Sequence, residues 1–195
     1  MKNKEGFKKK IVSPTEWSND NKTGWQFIAS PVKDAKIFDF IPETSEYDLY
    51  KYSGLNNLEW INHKDDDNTS EYVFEKTFQQ GVGYMTSYEE TSIATFKGLL
   101  NHESSFTYTL NYNENDNLSN FHLFGNPFSF DIKLSDFTSN DMVGGYAIVN
   151  DGGYVYKSVN DVIKVGEGFF VKSNGDYPSL SYRPQRGNDI EVQSI

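Results

Sequence analysis

The sequence predicts an all-β protein made of two diverged tandem repeats of about six strands each, packed as a β-sandwich or as a pair of small barrels. Three observations predict it. Aromatic residues make up 16% of the chain, with 13 Tyr and 15 Phe, and such side chains suit pleated, half-buried surfaces. Short aromatic and β-branched runs are divided by Gly, Asn, Asp and Pro, which is turn chemistry. Finally, two motifs occur twice in the same order. Gly24-Trp25-Gln26-Phe27-Ile28-Ala29-Ser30-Pro31-Val32 returns as Asn120-Phe121-His122-Leu123-Phe124-Gly125-Asn126-Pro127-Phe128, and Gly81-Val82-Gly83-Tyr84-Met85-Thr86-Ser87 returns as Gly166-Glu167-Gly168-Phe169-Phe170-Val171-Lys172.

Taken in order, residues 1–20 are polar and charged and read as a flexible N-terminal arm. The first repeat then spans 21–113, with strands expected at Trp25–Pro31, Tyr47–Tyr52, Glu59–His63, Val82–Ser87, Ser92–Lys97 and Phe106–Tyr112. In the last of these every second residue is large and apolar, the period of a strand with one packed face. The second repeat spans 114–195, with strands at Phe121–Phe128, Tyr146–Asn150, Tyr154–Ser158, Gly168–Lys172, Ser179–Arg183 and Asp189–Gln193. Asn150-Asp151-Gly152-Gly153 supplies the positive φ angles of a tight hairpin. Helix is expected only as a turn or two at Asp34–Phe40 and Leu134–Thr138. The two units are expected to pack together and to share a hydrophobic interior.

Charge excludes one class of partner. With 18 basic and 28 acidic residues the net charge is -10, whereas a nucleic-acid binder needs a basic patch to displace counterions. The chain has no Cys, which removes disulfides, thiolate nucleophiles and sulfur-ligated zinc. The basic start Met1–Lys10 is followed by no apolar stretch, so neither a signal peptide nor a transmembrane segment is read.

No catalytic constellation emerges. Gly81-x-Gly83 and Gly166-x-Gly168 each lead into a strand, not into the helix that a phosphate cradle requires, and read as turns that bend the chain onto a sheet. Asn126 before Pro127, and Ser30 before Pro31, read as side chains that tie down a turn. His63, His102 and His122 have no ligand spacing. Asp65, Asp66 and Asp67 offer oxygens to calcium, the one cofactor the sequence admits, but lack the spaced pattern of an EF-hand. Trp25 and Trp60 match aromatic positions in the other repeat and are expected in the core. Trp60, Trp17 and Tyr72 (beside the Asp65 loop) are nevertheless the candidate ligand-contacting residues, because an exposed ring on a β-face stacks on a sugar or grips a protein.

The segments around Trp25, Tyr47-Asp48-Leu49-Tyr50-Lys51-Tyr52 with Trp60, Gly83-Tyr84-Met85, Phe124-Gly125-Asn126-Pro127-Phe128 and Gly166–Lys172 together resemble a β-rich module of Bacteroidetes surface and secreted proteins associated with type IX secretion. The resemblance implies a non-enzymatic, adhesin-like accessory region, secreted or at the cell surface, appended to neighbouring domains of a larger protein. It brings no catalytic residues. The expected function is therefore a binding module for a glycan or a protein. The alternatives are a structural spacer that binds nothing and a hydrolase using two carboxylates assembled in space.

Overall fold

The computed structural model describes residues 6–11, 24–43, 46–55, 58–65, 74–101, 103–115, 119–138, 143–150, 153–175 and 179–182. Among these, regular structure is almost all strand, in small antiparallel sheets of a sandwich-like, all-β fold with no closed barrel. The first unit contains β1 (Gly6–Ile11), β2 (Gln26–Ile28), β3 (Val32–Lys33), β4 (Tyr47–Leu55), β5 (Leu58–Asn62), β6 (Tyr84–Tyr88), β7 (Ser92–Lys97) and β8 (Leu99–Leu100). The second contains β9 (Phe106–Thr109), β10 (Phe121–Gly125), β11 (Phe137–Thr138), β12 (Tyr146–Asn150), β13 (Gly153–Lys157), β14 (Gly168–Lys172) and β15 (Ser179–Tyr182). Short 3-10 turns at Ile37–Asp39 and Leu134–Asp136 occupy the two places where brief helix was expected. The strand expected at Asp189–Gln193 lies outside the described residues.

Each unit is centred on a four-stranded sheet, and the two sheets have the same order: β2-β6-β4-β5 and β10-β14-β12-β13. The register matches too. Phe27 faces Met85 and Ile28 faces Tyr84 in the first sheet, while the motif-equivalent Leu123 faces Phe170 and Phe124 faces Phe169 in the second. Buried glycine turns precede β6 and β14, with Gly81 at φ 76° and Gly166 at φ 75°. A side chain there would meet both a strained backbone and an aromatic ring, Phe106 against Gly81 and Phe7 against Gly166.

Three expectations need correction. Residues 6–11 are no loose arm: β1 pairs with β7 along its whole length, and Ile11 is fully buried in the first core. Its alternation, Phe7, Lys9, Ile11, is a strand period that the three consecutive lysines obscure. Nor does β9 close the first unit. It pairs with β15, and its Tyr108, with Leu110 just beyond, lies in the second core. The divide between units thus falls near residues 101–103, where β8 ends, and not at 113.

The hydrophobic interior is also divided. One buried cluster joins Ile28, Leu49, Phe78, Tyr84 and Phe96, and the other joins Tyr108, Phe128, Ile132, Phe169 and Leu180. Backbone bonds stitch the units where they meet. Ala29 N–H donates to Gly166 C=O (3.1 Å), Gly125 N–H to Gly81 C=O (2.8 Å) and Gly83 N–H to Leu123 C=O (3.0 Å). Isolated bridges between Val82 and Phe124, and between Ile28 and Glu167, complete the seam.

The Pro segments behave as the sequence indicates. Asn126, fully buried, accepts from Phe128 N–H (2.9 Å) through Oδ1 and directs Nδ2 at the carbonyls of Phe130 (2.9 Å), Lys164 (3.2 Å) and Ile163 (3.3 Å). Ser30 does the smaller version of this, its hydroxyl donating to Val32 C=O at 2.8 Å.

Candidate aromatic binding cleft

Successive strand residues point to opposite faces, and β14 turns that rule into a site. Phe169 faces inward, fully buried against Tyr108, Phe124 and Tyr146. Phe170 faces the other way, onto the surface where the units adjoin. Rings surround it there: Tyr52 at 4.9 Å, Phe121 at 5.5 Å, Phe27 at 5.9 Å, and Trp60 and Tyr154 at 6.4 Å between centroids. Phe121, Phe27 and Trp60 lie close to parallel with it, at 28°, 23° and 23°.

Over this platform opens a cleft of about 610 Å³, the size range of small-molecule sites. Tyr52 and Trp60, directly opposed across β4 and β5, form the wall given by the first unit. Phe121, Phe170 and the outward pair Tyr154 and Tyr156 of edge strand β13 come from the second. Gly144, Gly145 and Ala147 keep one side low. Tyr154 is 55% and Tyr156 84% exposed. These two rings stand in solvent beside a concave apolar surface. Lys157 and Lys172 also line the cleft, and no Asp or Glu does among the described residues.

Of the residues singled out from sequence, Trp60 lies in this cleft. Trp17, Tyr72, Asp66 and Asp67 lie outside the described residues, and Asp65 ends the short turn His63–Asp65. Trp60 and Trp25, expected in the core, are both half-buried, and Trp25 packs on Tyr50 at 5.8 Å. Trp25 stands just before β2 and Trp60 on β5; both lie outside the two core clusters, and Phe121, the motif match of Trp25, is half-buried like it. The aromatic partners Tyr52, Phe121, Tyr154, Tyr156 and Phe170 are not among the sequence candidates. Their signal is the doublet Phe169-Phe170, of which a single core can bury only one ring, and the i, i+2 pair Tyr154 and Tyr156 beside a tight turn.

Other polar clusters are explained by structure. Glu46 and Asp48 both approach Lys64, at 3.1 and 3.6 Å, and Tyr47 Oη lies 3.0 Å from His63 Nδ1. Burial pushes the Asp48 carboxyl up, and Lys64 opposes that. This carboxylate pair, at the start of β4, holds the lysine of the turn that follows β5 and is separate from the cleft. His122 stacks on Phe124 and its Nε2 sits 3.1 Å from Asn111 C=O; burial lowers its pKa. His102 lies outside the described residues. Among the described residues no group of three or more His, Asp or Glu is arranged to hold a metal, and no helix is long and apolar enough to cross a membrane. Comparison with known protein families, characterised proteins and solved structures gives no match.

Proposed function

We propose that this protein is a non-catalytic binding module of a secreted or cell-surface protein, and that its aromatic cleft takes a saccharide. The observation that carries the reading is the ring cluster on Phe170, open to solvent through Trp60, Tyr154 and Tyr156. The C–H faces of a sugar ring stack on aromatic faces while its hydroxyls stay in water, so a wide, shallow platform of rings suits it. The secreted or surface setting is supported by the resemblance of the repeated segments to Bacteroidetes surface modules. The matching strand order of the two four-stranded sheets supports the further reading that both units descend from one ancestral β-unit.

The test is a glycan array probed with the full chain, followed by calorimetric titration of each hit. We expect at least one oligosaccharide class to bind, and Trp60→Ala and Tyr156→Ala each to weaken it by about tenfold, the effect of losing one stacked ring, with unchanged circular dichroism. An array without hits, or hits indifferent to both substitutions, would overturn the reading and leave the spacer role in its place.

A further inference from the structure

We propose that the seam between the units is a self-complementary two-fold interface, and that it also seats a second copy of this chain, second unit against second unit. In a two-fold contact, if residue i of one body meets residue j of the other, then j of the first meets i of the second. The repeated motifs say which positions are equivalent, so the seam can be compared with itself.

Contacts across it recur in such pairs. Ala29 N–H donates to Gly166 C=O, and at the equivalent positions Gly125 N–H donates to Gly81 C=O. Ile28 is bridged to Glu167, and its equivalent Phe124 to Val82. A Cβ on Gly83 would lie 2.5 Å from Phe124 C=O, and one on Gly168 would lie 2.9 Å from Ile28 C=O. The last pair comes from outside the motifs. Phe106 of β9 covers Gly81, and Phe7 of β1 covers Gly166. These strands are matched in topology as well: β1 pairs with β7, the strand that follows β6, and β9 pairs with β15, the strand that follows β14. Reciprocity in hydrogen bonds, bridges, close approaches and ring cover is what a two-fold axis produces.

Ala29 and Gly125 are equivalent and meet each other, so the axis runs between them, and their difference decides which like units can pair. A Cβ on Gly125 would lie 2.3 Å from that of Ala29. Two first units would therefore press methyl group into methyl group, an overlap that a packed interior does not absorb cheaply. Two second units bring glycine to glycine. Inside one chain the first unit takes this place, because a tethered partner has an effective concentration of about millimolar. The second copy takes it when closure within the chain is blocked.

The experiment follows the mass of the full chain by light scattering as its concentration rises. Ala29→Leu fills the space opposite Gly125 and blocks closure, yet leaves the seam face of the second unit unaltered. This variant should double in mass at high concentration while wild type stays monomeric. Adding Gly125→Leu blocks that face too and should return the monomer. Gly125→Leu alone, which leaves only the Ala29 face on offer, should also stay monomeric. An Ala29→Leu chain that keeps its β-sheet circular dichroism and remains monomeric overturns the proposal, as does a dimer that survives Gly125→Leu. If Ala29→Leu loses its β-sheet signal, Ala29→Val, a smaller block, is judged by the same outcomes. Loss of that signal in both variants overturns the proposal as well, because the second unit then offers no face without the first.

Discussion

Ala29 and Gly125, equivalent positions in the two repeated motifs, meet where the units cross: a Cβ added to Gly125 would lie 2.3 Å from the Cβ of Ala29. One side of the seam has room for a methyl group only because the other has none. The same reciprocity governs the glycines beside it. Gly83 abuts the backbone of Phe124, and Gly168 abuts that of Ile28.

Gly125→Ala should therefore lower stability by about 1–3 kcal/mol, the range for overpacking a filled interior. Ala29→Gly in the same chain should recover part of the loss, since Val82 C=O at 2.7 Å still crowds the new methyl group. Urea unfolding of both single variants and the double variant measures this coupling. Strictly additive effects would mean that the two positions do not meet.

Removal of residues 1–11 should destabilise the protein by about 3 kcal/mol or more, from the lost burial of Ile11 and of Phe7 against Phe96 (6.3 Å, stacked). It also strips β7 of its partner. Thermal unfolding of the truncated chain is the measurement, and an unchanged midpoint would restore the picture of a loose arm.

Asn126→Ala should cost about 2–4 kcal/mol, because it leaves Phe128 N–H and Phe130 C=O without their partner and removes the tie from this turn to the carbonyls of Ile163 and Lys164. Asn126→Asp should be equally harmful, since a carboxylate cannot donate to those carbonyls. Ser30→Ala removes a single side chain with two backbone contacts and should cost about 1 kcal/mol.

Stability should fall at both ends of the pH scale. Burial raises the pKa of Tyr84, Tyr88, Tyr108, Tyr146 and Tyr182. The unfolded phenols ionise near the ordinary value of about 10, so this contribution is complete below that pH and is lost as pH climbs toward the raised folded values. Phenolate absorbance of these residues should appear together with loss of β-sheet circular dichroism. His122 has the opposite sign. Burial lowers its pKa from 6.5, so the unfolded chain takes up a proton that the folded chain resists. Its contribution is present above about pH 6.5 and declines as pH drops through the lowered folded value. Between pH 7.5 and 5 wild type should lose more stability than His122→Gln.

Strand content was readable because alternation and turn residues are local properties. Ser92–Lys97, Tyr146–Asn150 and Gly168–Lys172 lie where the pattern places them. Where the reading failed, a nonlocal partner decided. The lysines of Gly6–Ile11 hide a strand whose partner lies more than eighty residues on, at Ser92–Lys97, and Phe106–Thr109 looks like the end of one unit until Ser179–Tyr182 is seen beside it. The aromatic cleft is nonlocal in the same sense. Trp60 stood out as a lone tryptophan, but its significance comes from Phe170, which is remote in the chain and stacked near it in space.

Periodicity and turn chemistry were enough to establish that the chain makes β-sheet, because backbone geometry dictates those patterns one neighbour at a time. Which strand closes which sheet, where one core ends and the next begins, and which surface rings gather around Phe170 were settled by folding alone. Those outcomes depend on burying apolar area between segments far apart in the chain, and no local rule carries that information.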